Sequence, residues 1–384
     1  MKRILTLLLA AIMVLGLAAC GTKTPAETKP TETQPVTTEA TTEASTEAAT
    51  EPQFRTVTDL QGRTVEVPYH VETVAALGSA ARMLTYAGCA DKIVGCSDLE
   101  KEGNPSMPFA YVSHDILGNA ASISSGGSGD TIYAEELVVL SPDVIFYFGA
   151  DKDTLDQTQE QMNIPVVGLY ASNFYDADFR QTLALIGEIM ENEEHVTKVI
   201  ESLDTWIADL TERTKDIPEE SKPTVYTGAL GFRGSHGFEG TSANFPPFKA
   251  VNAKNVADET GETGTFLVDL EKVAVWDPDY IFVNPNSMYL VNENYAVNAS
   301  FYDNLTAVKE GKVFSLVSYN YFWTNQELAI VDAYFVGSTI YPEQFADVDF
   351  EAKAEEIFNV MLGQDYLEIL ENSGNGFGPI TIGE

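Results

Sequence analysis

Two stretches of this chain follow one pattern: Glu135-Glu-Leu-Val-Val-Leu-Ser-Pro142-Asp143-Val-Ile-Phe146 and Glu271-Lys-Val-Ala-Val-Trp-Asp-Pro278-Asp279-Tyr-Ile-Phe282. Each reads as a helix stopped by a proline, followed by a buried strand that starts after Pro-Asp. Proline cannot continue a helix, and aspartate bonds nearby backbone and so holds the turn. Glu, Pro, Asp, Ile and Phe recur at identical offsets in the two stretches. The chain is therefore expected to contain two similar α/β halves.

Reading outward supports this. Thr56–Leu60 and Thr64–Val67, separated by Gln61-Gly62-Arg63, predict a small β-hairpin. Then come a strand over Val71–Leu77, a helix over Ala80–Ala87 and a short strand over Lys92–Gly95. Helix Glu135–Leu140, strand Val144–Phe148, helix Leu155–Met162 and strand Val166–Leu169 continue the alternation. Strands alternating with helices imply right-handed crossovers and a mainly parallel sheet. From Asp178 the character is helical: Phe179–Met190, then Glu194–Lys215 with Val196, Val199, Ile200, Leu203, Trp206, Ile207 and Leu210 on one face. Alternation resumes with Thr224–Leu230, Leu270–Val275, Tyr280–Val283, Leu305–Lys309 and Lys312–Leu316, and an amphipathic helix is expected over Phe350–Leu362.

The beginning of the chain is different. Lys2 and Arg3 precede the apolar run Ile4–Leu17, and Leu17-Ala18-Ala19-Cys20 matches a bacterial lipobox. Residues 1–19 thus read as a lipoprotein signal peptide, with Cys20 the lipidated mature N-terminus. Residues 20–53 are rich in Thr, Glu, Ala and Pro, repeat Thr-Thr-Glu-Ala at 37–40 and 41–44, and lack any apolar period. Such a segment buries too little surface to offset its ordering entropy, so a disordered tether is expected. The remaining division is an N-terminal α/β lobe over 54–177, a helical segment with an interlobe helix over 178–217 and a C-terminal α/β lobe over 218–384.

The 384 residues carry 22 basic and 58 acidic side chains, a formal charge of −36. Loss of Lys2 and Arg3 leaves 20 against 58, or −38. That surface repels nucleic-acid phosphates and anionic lipid headgroups, so membrane attachment needs the lipid on Cys20. Cys89 and Cys96 match no common metal spacing and read as buried small residues.

With these features in place the chain resembles the substrate-binding proteins of ABC importers for ferric siderophores, haem and vitamin B12. The resemblance runs from Val57 to Leu362. It rests on Val74-Ala-Ala-Leu-Gly78-Ser79, Ala87-Gly-Cys-Ala-Asp-Lys-Ile-Val-Gly95 and both helix–Pro-Asp–strand units. Asn304-Leu-Thr-Ala-Val-Lys-Glu-Gly-Lys-Val-Phe314 and Tyr341-Pro-Glu-Gln-Phe345 extend it. It implies a class III periplasmic-binding-protein-like fold: two Rossmann-like lobes connected by a rigid backbone helix. It also implies no cofactor, an ABC permease as partner, and one exposed glutamate per lobe that docks on permease arginines. The matching positions are Glu135 and Glu271, each seven residues before its proline.

Ligands of open α/β sheets bind beyond the carboxyl ends of strands. The N-terminal loops in question are Gly78–Arg82, with Ser79 and Arg82, the run Ser124-Ser-Gly-Gly-Ser-Gly-Asp130, and Gly149–Asp151. The glycine run lacks the Lys-Ser/Thr ending of a phosphate loop. The C-terminal candidates are Arg233 and His236 in Gly231–Phe238, Tyr289 at the end of Asn284–Tyr289, and Tyr319, Tyr321 and Trp323. Arginine supplies fixed donors to an anionic chelate, histidine can donate or ligate, and the aromatics offer either stacking surface or core.

The function expected from this reading is capture of a metal chelate outside the cell and delivery to the importer by a lipid-anchored monomer. A ferric siderophore is the first choice, and a corrinoid or haem the alternative. An extracytoplasmic hydrolase would need a nucleophile elbow or zinc set, yet the chain has no G-x-S-x-G or HExxH, and its histidines stand apart at 70, 114, 195 and 236. A surface sensor or adhesin on the same fold is the third class.

Overall fold

The computed structural model describes residues 53–127, 130–172 and 174–384. The expected signal peptide, Cys20 and all of the tether except Gln53 lie outside the described residues.

Val74–Leu77, Ile93–Ser97, Ala121–Ser124, Val144–Phe148 and Val166–Leu169 form a sheet in which every pairing is parallel. In space the strand beginning at Ala121 lies at one edge, followed by those beginning at Ile93, Val74, Val144 and Val166. Parallel strands covered on both faces read as unbroken apolar runs, and Val74–Leu77 is buried at all four positions. A second five-stranded sheet has the order Lys254–Asn255, Thr224–Gly228, Tyr280–Val283, Val313–Ser315, Gly378–Pro379, and only its last pairing is antiparallel. The hairpin is Phe54–Thr58 paired with Thr64–Pro68. A further antiparallel pair, Gly240–Ala243 with Gly264–Leu267, belongs to the C-terminal lobe.

The two Pro-Asp turns are counterparts down to single hydrogen bonds. Helices Ala134–Leu140 and Leu270–Trp276 both end on a left-handed residue, Ser141 at φ 48° and Asp277 at φ 41°. The carboxylate of Asp143 accepts from the Thr73 amide at 2.9 Å and hydroxyl at 3.0 Å, and the Asp143 amide donates back to the Thr73 Oγ1 at 3.2 Å. Asp279 repeats this with Thr224, at 2.7 Å, 2.7 Å and 3.0 Å. Each ring ties the start of a strand to the start of its parallel neighbour, since Val74 pairs with Val144 and Val225 with Tyr280. The strand of the first lobe begins at Val74 rather than at Val71.

Helices Ala177–Met190 and Glu193–Thr214 lie between the sheets in sequence, with Val196, Val199, Leu203, Trp206 and Leu210 buried. Glu193–Thr214 is the backbone helix expected between the lobes, and further helices pack beside it. Helix Gln326–Ile340 packs against Glu193–Thr214, against Pro246–Ala250 of the C-terminal lobe and against Phe350–Leu362. Phe350–Leu362 in turn contacts Ala80–Tyr86 of the N-terminal lobe. One apolar cluster therefore runs from the inner face of the first sheet (Val74, Phe146, Val167) through these helices to the inner face of the second (Val225, Phe282). The outer face of each sheet has its own cluster. Polar pins reinforce the layer: Trp206 Nε1 donates to Glu356 at 2.9 Å and the Tyr334 hydroxyl to Asp209 at 2.9 Å. Arg213 joins Asp209 and Asp347. Cys89 and Cys96 are buried free thiols.

Replacing Asp143 by Ala strands three donors, the Glu72 and Thr73 amides and the Thr73 hydroxyl. The expected loss is about 1–3 kcal/mol in denaturant unfolding, with a similar loss for Asp279→Ala. Loss below about 0.5 kcal/mol in both variants would show that the rings do not hold the strand starts.

Candidate ligand-binding cleft

Each sheet has one place where the chain's progress across it reverses, and crevices open there at the strand carboxyl ends. In the N-terminal lobe this lies between Val74–Leu77 and Val144–Phe148, which lead into Gly78 and Gly149. Only glycine fits at Gly78: its φ is 66°, and a Cβ would sit 2.2 Å from the Phe148 carbonyl oxygen. In the C-terminal lobe the reversal lies between Thr224–Gly228 and Tyr280–Val283, whose following loops carry Arg233 and Asn284.

Arg233, Asn284, Asn286, Ser318, Asn320 and Tyr321 line a cavity of about 600 Å³, to which the N-terminal lobe adds Ser106. The Asn284 side chain anchors its loop by accepting from the Asn286 amide at 3.1 Å and donating to the Ala229 carbonyl at 3.2 Å. Arg233 sits at φ 53° in its glycine-flanked loop, is exposed, and has no hydrogen bond or ion pair among the described residues. A second cavity of about 440 Å³ lies between Leu99 and Gly127 on one side and Asn320–Trp323 on the other.

The residues common to both cavities belong to a strap, Tyr319–Asn325, that reaches from the C-terminal lobe onto the N-terminal one. Asn320 and Thr324 form an antiparallel bridge, and Phe322 and Trp323 are both left-handed, at φ 49° and 71°. Such residues carry roughly 1–2 kcal/mol of strain each and persist only where their surroundings impose the conformation. Here Arg82 imposes it. Its guanidinium donates to the carbonyls of Phe322 and Tyr321, and its Nε donates to Asn325 Oδ1 at 3.1 Å. The Asn325 amide group donates to the Tyr319 carbonyl at 3.1 Å. Trp323 meets Phe148 edge-on with ring centres 5.2 Å apart, directly above Gly149, where a Cβ would approach the indole to 2.9 Å.

The sequence-derived candidates separate on this geometry. Arg233 and Tyr321 meet in the larger cavity, and Tyr321 with Trp323 in the smaller. Tyr321 and Trp323 remain 39% and 46% exposed, which leaves ring surface available. His236 stands behind the cavity wall, its Nε2 donating to the Phe232 carbonyl at 3.0 Å with its ring against Phe232. Tyr319 packs on Phe245, and Tyr289 is exposed on the helix beginning at Met288, outside the lining of both cavities. Arg82 and Ser79 are both fully buried, Ser79 accepts from Arg82 at 3.2 Å, and Arg82 anchors the strap. Asn284, Asn286 and Ser106 were not singled out as site residues; the strand-end rule pointed to the first two as a loop, and nothing local marked Ser106. Glu135 and Glu271 lie exposed on equivalent helices.

Below the strap lies a buried polar group. The Tyr86 hydroxyl donates to the Glu327 carboxylate and accepts from the Gln326 amide at 3.2 Å. Burial pushes Glu327 up to about 7, against the opposing effect of the Tyr86 hydrogen bond. Burial likewise raises Glu100 to about 7, although Ser97 donates to it at 2.8 Å, and it raises Asp332 well above the usual carboxylate range.

Two α/β halves facing across a polar cleft, with a helical layer behind, define a solute receptor. The comparisons agree. The sequence matches the profile of the family described as "Periplasmic binding protein" over residues 71–319, and the chain belongs to that family. It is accordingly an extracytoplasmic solute-binding protein of an ABC transporter, and its ligand is a transported solute rather than a cofactor. No curated protein sequence matches it. A periplasmic solute binding protein from Veillonella parvula is similar in structure at TM-score 0.67 and 19% identity, over 84% of this chain and 97% of that one. The molybdate binding protein MolA of Haemophilus influenzae, bound to molybdate, is similar at 0.63 and 22%, over 81% and 99%. The TroA-like binding protein FepB from Veillonella parvula is similar at 0.63 and 20%, over 85% and 99%. Among the described residues no helix is long and apolar enough to cross a membrane.

A carboxyl that ionises near 4.5 unfolded and near 7 folded takes up a proton on folding between those values. Its contribution therefore becomes less favourable as pH rises through that window, and the deficit is complete above it. Glu327→Gln is expected to gain roughly 1–3 kcal/mol relative to the parent at pH 8 compared with pH 4.5, measured by urea unfolding at both values. An equal effect of the substitution at both pH values would contradict the assigned burial.

Proposed function

We propose that this protein is anchored by lipid on Cys20 and captures a metal chelate, first a ferric siderophore, for delivery to an ABC permease through Glu135 and Glu271. The observation that carries the ligand class is the cleft itself. One unpaired arginine stands among amides and hydroxyls in about 600 Å³, a lining suited to the periphery of a preassembled, modestly anionic chelate. What supports the docking role is one exposed carboxylate per lobe, on helices that run into matching Asp–Thr rings, a placement suited to directional pairing with arginines. The exposed rings of Tyr321 and Trp323 favour a second reading, a flat corrinoid or haem stacked in the smaller cavity. MolA's molybdate makes a compact oxoanion a necessary control.

Tryptophan quenching against ferric hydroxamates, ferric catecholates, haem, cobalamin and molybdate separates these ligands, and binding of none of the chelates would sink the reading. Arg233→Ala is expected to weaken an anionic chelate about tenfold, the loss of one charge-assisted contact, and to leave an uncharged one unchanged. Glu135→Ala with Glu271→Ala should abolish uptake while ligand binding persists; unaltered uptake would remove the docking assignment. Cys20→Ser should release the protein from membranes.

A further inference from the structure

Helices Ala134–Leu140 and Leu270–Trp276 share more than their glutamates. From Glu135 to Pro142 and from Glu271 to Pro278 the residues follow the same sequence of exposure: Leu137 and Val273 buried, Pro142 and Pro278 buried, Leu140 and Trp276 half-buried, and the rest facing solvent. Val139 and Val275 occupy the same place in this register and are each 83% exposed. Each lies four residues after its glutamate, one helical turn along the same face. The other fully solvent-facing positions differ between the lobes: Glu136 against Lys272, Val138 against Ala274, Ser141 against Asp277. What the lobes duplicate on their exposed surface is therefore one pair, a carboxylate with a β-branched apolar side chain a turn away.

Isolated exposed valines are ordinary on protein surfaces. These two sit at equivalent places, because each helix runs into a Pro-Asp turn that the same Asp–Thr ring ties to the neighbouring strand. A repeated surface element fits a repeated partner. Apolar contact beside an ion pair also excludes water from it, and interface charge pairs gain strength when their surroundings are dry.

Resting on the proposed docking role of the glutamates, we infer that Glu135–Val139 and Glu271–Val275 are two copies of one docking element. Its occupant is a two-fold-repeated permease surface that offers, twice, a guanidinium beside an apolar socket. The carboxylate supplies direction and long-range attraction; the valine supplies the contact that salt does not screen.

The test uses the intact protein and the importer's permease–ATPase complex in nanodiscs, with affinity measured from low to high NaCl. Val139→Thr with Val275→Thr keeps shape and β-branching but replaces one methyl per lobe by hydroxyl. It should weaken docking on the order of tenfold, by about two buried methyl groups, at every salt concentration. Chelate affinity and thermal stability should not change, since both side chains are on the surface. Glu135→Gln with Glu271→Gln should weaken docking and flatten its salt dependence. Unchanged affinity in the valine variant, beside a weakened glutamine variant, overturns the inference and leaves the docking role standing. Unchanged affinity in both overturns the docking role itself.

Discussion

The constraint on which this architecture depends is the burial of helix Gln326–Ile340 on all sides. Twelve of its fifteen residues are buried, and they include Glu327 and Asp332. It packs on the C-terminal lobe and the helical layer and is hydrogen-bonded to Tyr86 of the N-terminal lobe, and its apolar residues belong to the continuous inner cluster. Pulling the lobes apart through this layer would expose packed surface along several helices at once. Adjustment to a ligand is cheaper in the strand-end loops than in this layer. Arg82 joins the two regions: it lies in the N-terminal lobe, stacks on Phe109 at 4.6 Å, and holds the strap's carbonyls.

Much of the fold is legible in the sequence. Val144–Phe148, Val166–Leu169 and Tyr280–Val283 agree with expectation to the residue, because a short apolar run bounded by Pro-Asp or Ile-Pro permits little else. Phe350–Leu362 was legible because one face is polar. Gln326–Ile340 escaped for the opposite reason: a helix surrounded by protein has no polar face, so its apolar residues show no period of 3.6. Ala121–Ser124 contains two serines and lacks the apolar density of its neighbours. Met288–Tyr302 is interrupted at Asn298, where the backbone leaves helical geometry.

The cleft was legible as loops more than as residues. The strand-end rule pointed to Gly231–Phe238, Asn284–Tyr289 and Tyr319–Asn325, and each supplies lining. It could not tell that Arg82 turns inward, because arginine is seldom fully buried and the groups that satisfy it lie some 240 residues away in sequence. Nor could it separate Tyr319, which packs on Phe245, from Tyr321 two residues later, which faces the cavity.

Cys89 and Cys96 have a consequence for life outside the cytoplasm. Both thiols are buried, and burial pushes Cys96 up to about 12 and raises Cys89 as well. The nucleophilic thiolate is therefore scarce and inaccessible while the chain is folded. Neither thiol is tied in a bond that a reductant could break, and neither lies where an oxidant or a mispaired partner reaches it while the chain is folded.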